Sequence, residues 1–152
     1  MNTQKLVLDQ VDRKIREMSI PDSFVMPPAG WIYSIRHALG MSLRQLGKKL
    51  KITAQSVKGI EDREKTGNLS LKVLQQVAAC LDMKLVYGFI PKSGSLEKMI
   101  ENRALEIARD IVQRTSASMS LEDQKNTEAR LRKSVVEKAN EIKLKMPRYL
   151  WD

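Results

Sequence analysis

Within six consecutive positions, Ala54, Gln55, Lys58 and Gly59 bring together side chains suited to reading a nucleic-acid base edge. A glutamine carboxamide pairs bidentately with adenine or contacts guanine, an alanine methyl packs on the thymine methyl, and a lysine reaches guanine or a phosphate. A glycine lets the backbone lie close to a groove. Around them stand Ser42, Arg44, Thr53, Ser56, Arg63, Lys65, Thr66 and Asn68. These hydroxyl, amide and cationic donors suit phosphate oxygens, and helix N-termini add free amides. Lys48, Lys49 and Lys51 would add sequence-independent affinity. The chemistry expected here is recognition.

The elements that must position these residues follow from hydrophobic spacing. Ser42 caps a run whose apolar positions are Leu43, Leu46 and Leu50; Thr53 caps a second with Val57 and Ile60. Two short helices this close must cross steeply, which is helix-turn-helix geometry, with the second helix set for a major groove. Leu46, Val57, Ile60, Leu74 and Val77 read as core.

Charge points the same way. Residues 31–92 hold eleven Lys or Arg against four acids, whereas residues 93–152 hold twelve against ten. The excess positive charge of the chain therefore falls on the helical pair, where a polyanion would be held by counterion release.

Other classes are disfavoured. The chain has no glycine-rich phosphate loop, no metal-ligand cluster and no nucleophile–base spacing, so neither an enzyme nor a cofactor is expected. His37 is the single histidine. Cys80, the single cysteine, reads as buried and inert; alone it excludes an intramolecular disulfide and fits a reducing cytoplasm. Glu106 and Asp110, beside Arg103 and Arg109, read as solvated helix pairing. No apolar run approaches the ~20 residues of a membrane span and no signal-peptide pattern opens the chain, so a cytoplasmic location is expected.

Along the chain, residues 3–18 read as an amphipathic helix with Leu8, Val11, Ile15 and Met18 on one stripe. Pro27, Pro28 and Gly30 break the chain before a helix at Trp31–Leu39, and Ser70 caps another running to about Cys80. Met83–Ile90, rich in β-formers and stopped by Pro91, reads as a strand. With no second strand to pair, Leu85, Val86, Tyr87 and Phe89 are expected to pair with a second subunit or another partner. Two helices follow, one from Ser95 with stripe Leu96, Ile100, Ala104, Ile107 and Ile111. The other, with stripe Leu131, Val135, Ala139, Ile142 and Met146, opens on the Ser120–Asp123 capping-box pattern after a linker at 115–120. The organisation expected is an N-terminal helix and Pro-rich linker (1–30), a DNA-binding domain with terminal strand (31–92) and a helical extension (93–152). The tail Tyr149-Leu150-Trp151 folds back on the domain or docks on a partner.

Residues 31–90 resemble the Cro/phage-repressor class of helix-turn-helix proteins, the XRE family. The resemblance rests on Ile35-Arg36, Ser42-Leu-Arg-Gln-Leu-Gly47, Ile52-Thr-Ala-Gln-Ser-Val57, Ile60-Glu61 and Leu74-Gln-Gln-Val-Ala78. It implies a mainly α, lambda-repressor-like domain, here with one short β-strand and added N- and C-terminal helices. It also implies that Glu61 pairs with the basic residue of the first helix, Arg36. Leu43 stands where the family commonly has a phosphate-contacting glutamine, and Gly47 where it often has alanine. The whole chain is similar to the mobile mystery protein A family of mobile-element proteins, through Met26-Pro-Pro-Ala-Gly-Trp-Ile32, Thr53–Val57 and Tyr149-Leu-Trp151. That resemblance implies a co-encoded Fic-domain partner and a toxin–antitoxin-like pair. Fic inhibitors use a Ser/Thr-x-x-x-Glu-Gly/Asn helix; the nearest match, Ser118–Asp123, departs at its last position.

The function expected is a sequence-specific double-stranded DNA-binding regulator, a dimeric repressor and autoregulator on a palindromic operator. The alternative is an antitoxin that neutralises the Fic-domain protein.

Overall fold

The computed structural model describes residues 2–18, 20–116 and 124–152. Among these the chain is mainly helical and no strand occurs. The α-helices are α1 (Thr3–Met18), α2 (Trp31–Ala38), α3 (Leu43–Leu50), α4 (Ala54–Lys65), α5 (Leu71–Cys80), α6 (Leu96–Ser116) and α7 (Gln124–Lys145). A 3₁₀ turn follows at Arg148–Trp151. The Ser120–Asp123 capping box, most of the 115–120 linker and the Ser118–Asp123 segment lie outside the described residues. Packing divides the chain into two units, Ile20–Tyr87, and Met1–Ser19 with Gly88–Asp152.

In the Ile20–Tyr87 unit, Ile32, Leu46, Val57, Ile60 and Val77 form the buried core, with Leu43, Leu50, Leu74 and Leu81 packed against it. Leu46 is 0% exposed. The spacing of these residues at three and four positions gives each short helix one apolar stripe, and the stripes meet. Hydroxyl caps start three of the helices. The side chains of Ser42, Thr53 and Ser70 accept from the amides of Gln45, Ser56 and Val73 at 3.1, 3.1 and 3.2 Å.

The other unit pairs α6 with α7. Glu97 at the start of α6 meets Lys143 near the end of α7 at 3.2 Å, so the two helices run antiparallel. Ile100, Ala104, Ala108, Ala139, Ile142 and Leu150 are buried between the elements, and Leu8 of α1 packs against them. On α1 the buried residue is an acid. Asp12 accepts from the amides of Leu96 and Glu97 at 2.8 and 3.2 Å, satisfying two of the donors a helix N-terminus leaves open.

Several expectations need correction. Met83–Ile90 forms no strand and carries no regular structure. A ladder requires a partner backbone, and the described residues offer none. Val86, Tyr87 and Phe89 are exposed, Phe89 by 87%, and Leu85 is half-buried. The helix of residues 3–18 packs with the C-terminal helices, in the unit that resumes at Gly88. One contact that holds it there, Asp12 with Leu96 and Glu97, spans more than eighty positions, beyond the reach of local pattern. Val11, placed on the inward stripe, is exposed. Cys80 is half-buried, its thiol donating to the Lys49 carbonyl at 3.6 Å.

The tail folds back. Leu150 is buried, and its carbonyl accepts from Arg103 Nε at 2.8 Å. Arg103 Nη2 donates to the Asp152 carbonyl.

Asp12→Ala, which strands two helix-start amides at a buried site, is expected to lower stability by about 1–3 kcal/mol. Asp12→Asn, which keeps an acceptor oxygen, should lose less. Urea melts of the three proteins check this; an unchanged midpoint in Asp12→Ala would show that the cap carries no weight.

Candidate nucleic-acid interface

Two acids on α4 set its place. Glu61 is 3% exposed and takes both ends of the Arg36 guanidinium, Nε–Oε1 at 2.6 Å and Nη2–Oε2 at 3.2 Å. Arg36 Nη1 donates to the Met41 carbonyl at 2.8 Å, and its guanidinium carbon lies 5.5 Å from the Tyr33 ring centre. A buried ion pair is tolerable only when its remaining polar atoms are also satisfied, as here. The hydrogen bond to Glu61 holds the Arg36 pKa above its ordinary value, so Arg36 stays charged. One turn further along α4, Glu64 accepts from the amides of Trp31 and Ile32 at the open N-terminus of α2, the latter at 3.2 Å. Advancing from Trp31 to Arg36 on α2 moves back from Glu64 to Glu61 on α4. The two helices are therefore clamped in opposite directions at two points.

Gly30 is required by this cap. Its φ is 87°, and a Cβ there would lie 2.9 Å from Glu64 Oε1. No local signal announces Glu64, because its partners lie thirty-two and thirty-three residues away.

The connection from α3 to α4 is short. Lys51 adopts φ 59°, and the Ile52 amide returns to the Gly47 carbonyl at 2.9 Å. The Ile52 carbonyl consequently passes over α3, where a Cβ on Gly47 would stand 2.7 Å from it. Gly47 is a close-packing glycine. At the start of α3, Ser42 and Gln45 complete a capping box, with the Ser42 amide donating to Gln45 Oε1 at 2.7 Å. The Ser-x-x-Gln spacing is the local signature of this box.

This frame leaves the first turn of α4 outward. Gln55, Ser56 and Lys58 are exposed, and Ala54 and Gly59 are half-buried. Gln55 makes no side-chain hydrogen bond among the described residues. A concave surface beside this turn is lined by Arg44, Gln45, Lys48, Ile52, Thr53 and Ala54. Arg44, Lys48, Lys49 and Lys51 are exposed, and none forms an ion pair among the described residues. Leu43 packs against the core and is not part of this surface.

The expected phosphate group is split. Thr53 and Ser56 stand at the N-terminal end of α4 with their hydroxyls 2.9 Å apart, Arg44 lies on the adjoining concave surface, and Ser42 caps the start of α3. Arg63, Lys65, Thr66 and Asn68 stand at the other end, about 20 Å away at the rise of an α-helix. There the Thr66 hydroxyl serves the helix end, donating to the Asp62 and Arg63 carbonyls at 3.2 Å and accepting from Asn68 at 3.3 Å. Lys58 bonds Asp62 at 2.7 Å, which raises its pKa above the ordinary lysine value. Gly59 has open space around it, its nearest neighbour being Arg63 Nη1 at 4.0 Å from the Cβ position.

His37 stacks on Tyr33 at 5.7 Å, and the described residues contain no group of metal-ligating side chains. No helix of the described residues is long and apolar enough to cross a membrane. No family model, curated protein or solved structure matches this chain.

Arg36→Met, which leaves Glu61 buried without its partner, should destabilise the Ile20–Tyr87 unit by about 3–5 kcal/mol. Adding Glu61→Leu should recover most of the loss. Denaturant melts read both; a mild Arg36→Met, or a double variant as unstable as the single, would contradict the clamp.

Proposed function

We propose that this chain is a sequence-specific double-stranded DNA-binding regulator of the XRE helix-turn-helix class, acting as a dimeric repressor and autoregulator. The observation that carries the reading is the outward first turn of α4. There Gln55 makes no side-chain hydrogen bond among the described residues, Arg44 and Lys48 line the adjoining concave surface, and they and the exposed Lys49 and Lys51 pair with no acid among those residues. Structural surface charge is ordinarily interspersed with the opposite sign, whereas a phosphate-binding face leaves its cations free.

In this reading α3 and α4 are the helix-turn-helix of a lambda-repressor-like domain. Gln55 meets a base edge, Ala54 packs on a thymine methyl, and the amides at the start of α3 and α4 face phosphates. Thr53 and Ser56 at the start of α4 and Arg63 and Lys65 towards its end are the donors offered to phosphates flanking the groove. A palindromic operator follows if two copies set their α4 helices about 34 Å apart, one turn of B-DNA. The segment in which Val86, Tyr87 and Phe89 are exposed beside the half-buried Leu85 is the candidate contact between the copies, since its backbone joins no ladder among the described residues.

A second role, neutralising a co-encoded Fic-domain toxin as in the mobile mystery protein A family, is favoured by the tail. Leu150 is anchored in the core while Tyr149 and Trp151 stay exposed on the same 3₁₀ turn. Aromatic side chains on a fixed backbone make effective anchors for a partner protein. Co-purification with the product of the adjacent reading frame separates this role from regulation alone.

Gln55→Ala is expected to weaken binding to the selected operator by about 1–3 kcal/mol, while leaving the circular-dichroism melt unchanged. Selection from random duplexes, followed by affinity measurement on the winner, supplies the readout. Unchanged affinity together with unchanged sequence preference would remove Gln55 from the base-reading set.

A further inference from the structure

One acid stands on the face of α4 that is otherwise offered to DNA. Around the helix, Asp62 lies about 20° from Gln55 and about 40° from Lys58, and about 10 Å further along the axis than Gln55. Both partners of the Lys58–Asp62 pair are half or more exposed, at 50% and 59%, with Nζ–Oδ1 at 2.7 Å. The pair contributes little to folding, as exposed pairs of this spacing do. Its consequence is for binding: the lysine best placed to follow Gln55 into a groove is neutralised in the free protein. Arg44, Lys48, Lys49 and Lys51, by contrast, carry no such partner among the described residues.

Resting on the DNA-binding reading above, we propose that Asp62 is a specificity-determining residue that withholds Lys58 from non-specific phosphate. Lys58 leaves Asp62 only where a guanine edge presents its N7 and O6 acceptors together, a stronger lure than a single screened phosphate oxygen. On other sequences the pair persists, and the exposed carboxylate faces the polyanion as a like charge. Discrimination then comes partly from a repulsive element built into the reading helix, and not only from attractive contacts.

The test is fluorescence anisotropy of a labelled mixed-sequence duplex over a series of salt concentrations. The proteins are wild type, Asp62→Asn, Lys58→Gln and the double variant. Circular-dichroism melts confirm that all four fold. Asp62→Asn is expected to bind about threefold tighter at low salt. Its log–log salt slope should steepen by about 0.9, the release expected for one more neutralised phosphate. In the Lys58→Gln background the same change should leave the slope where it was. Equal affinity and slope for wild type and Asp62→Asn would overturn the proposal while leaving DNA binding intact. An equal gain in the Lys58→Gln background would also overturn it, making Asp62 a simple repulsive charge. Failure of both wild type and Asp62→Asn to bind any duplex at low salt would instead bring down the DNA-binding reading and this proposal together.

Discussion

The buried Arg36–Glu61 pair is the interaction on which the Ile20–Tyr87 unit depends. Its three hydrogen bonds join α2, the loop carbonyl of Met41 and the middle of α4. An ion pair this buried is costly to desolvate, so it is satisfied in one geometry and penalises any other. Glu64 repeats the logic one turn later by capping α2. Together the two carboxylates fix the direction and rotation of α4. That rotation decides which residues face solvent: Val57, Ile60 and Glu61 are turned inward, and Gln55, Ser56 and Lys58 outward.

Much of this was legible in the residues themselves. The helices from α3 to α5 announced their starts through Ser42, Thr53 and Ser70, and their inward faces through the spacing of leucine, valine and isoleucine. The bulk of the core followed from that spacing. Gly47 was recognisable as a departure, but its reason, the passage of the Ile52 carbonyl above it, exists only in three dimensions. Asp12 and Glu64 were illegible for a shared reason. Each is an ordinary surface acid in its own helix and acquires its role by reaching a helix start far away in sequence. The strand expected at 83–90 shows the complementary weakness. Composition reports a preference for extended backbone, whereas a strand also requires something to pair with.

The candidate surface was half legible. The residue types at 54–59 and the charge bias mark the region in the sequence itself. Which donors are free was not readable, because that depends on pairing. Thr66 and Asn68 are engaged with the end of α4, and Lys58 with Asp62. Arg44, Lys48, Lys49 and Lys51 are engaged with no acid among the described residues. Arg44, Lys48, Lys49 and Lys51 fall within eight positions on α3 and the turn into α4, and this clustering, not freedom from acids alone, marks the candidate face.

The most direct measurement of that claim is an amide proton–nitrogen NMR titration of the protein with duplex DNA at low salt. Specific amide shifts concentrated at residues 42–45 and 53–59, diminishing as salt rises, are the expected result. Shifts concentrated in α6 and α7 with residues 53–59 unmoved, or no shifts at all, would contradict a nucleic-acid interface on α4.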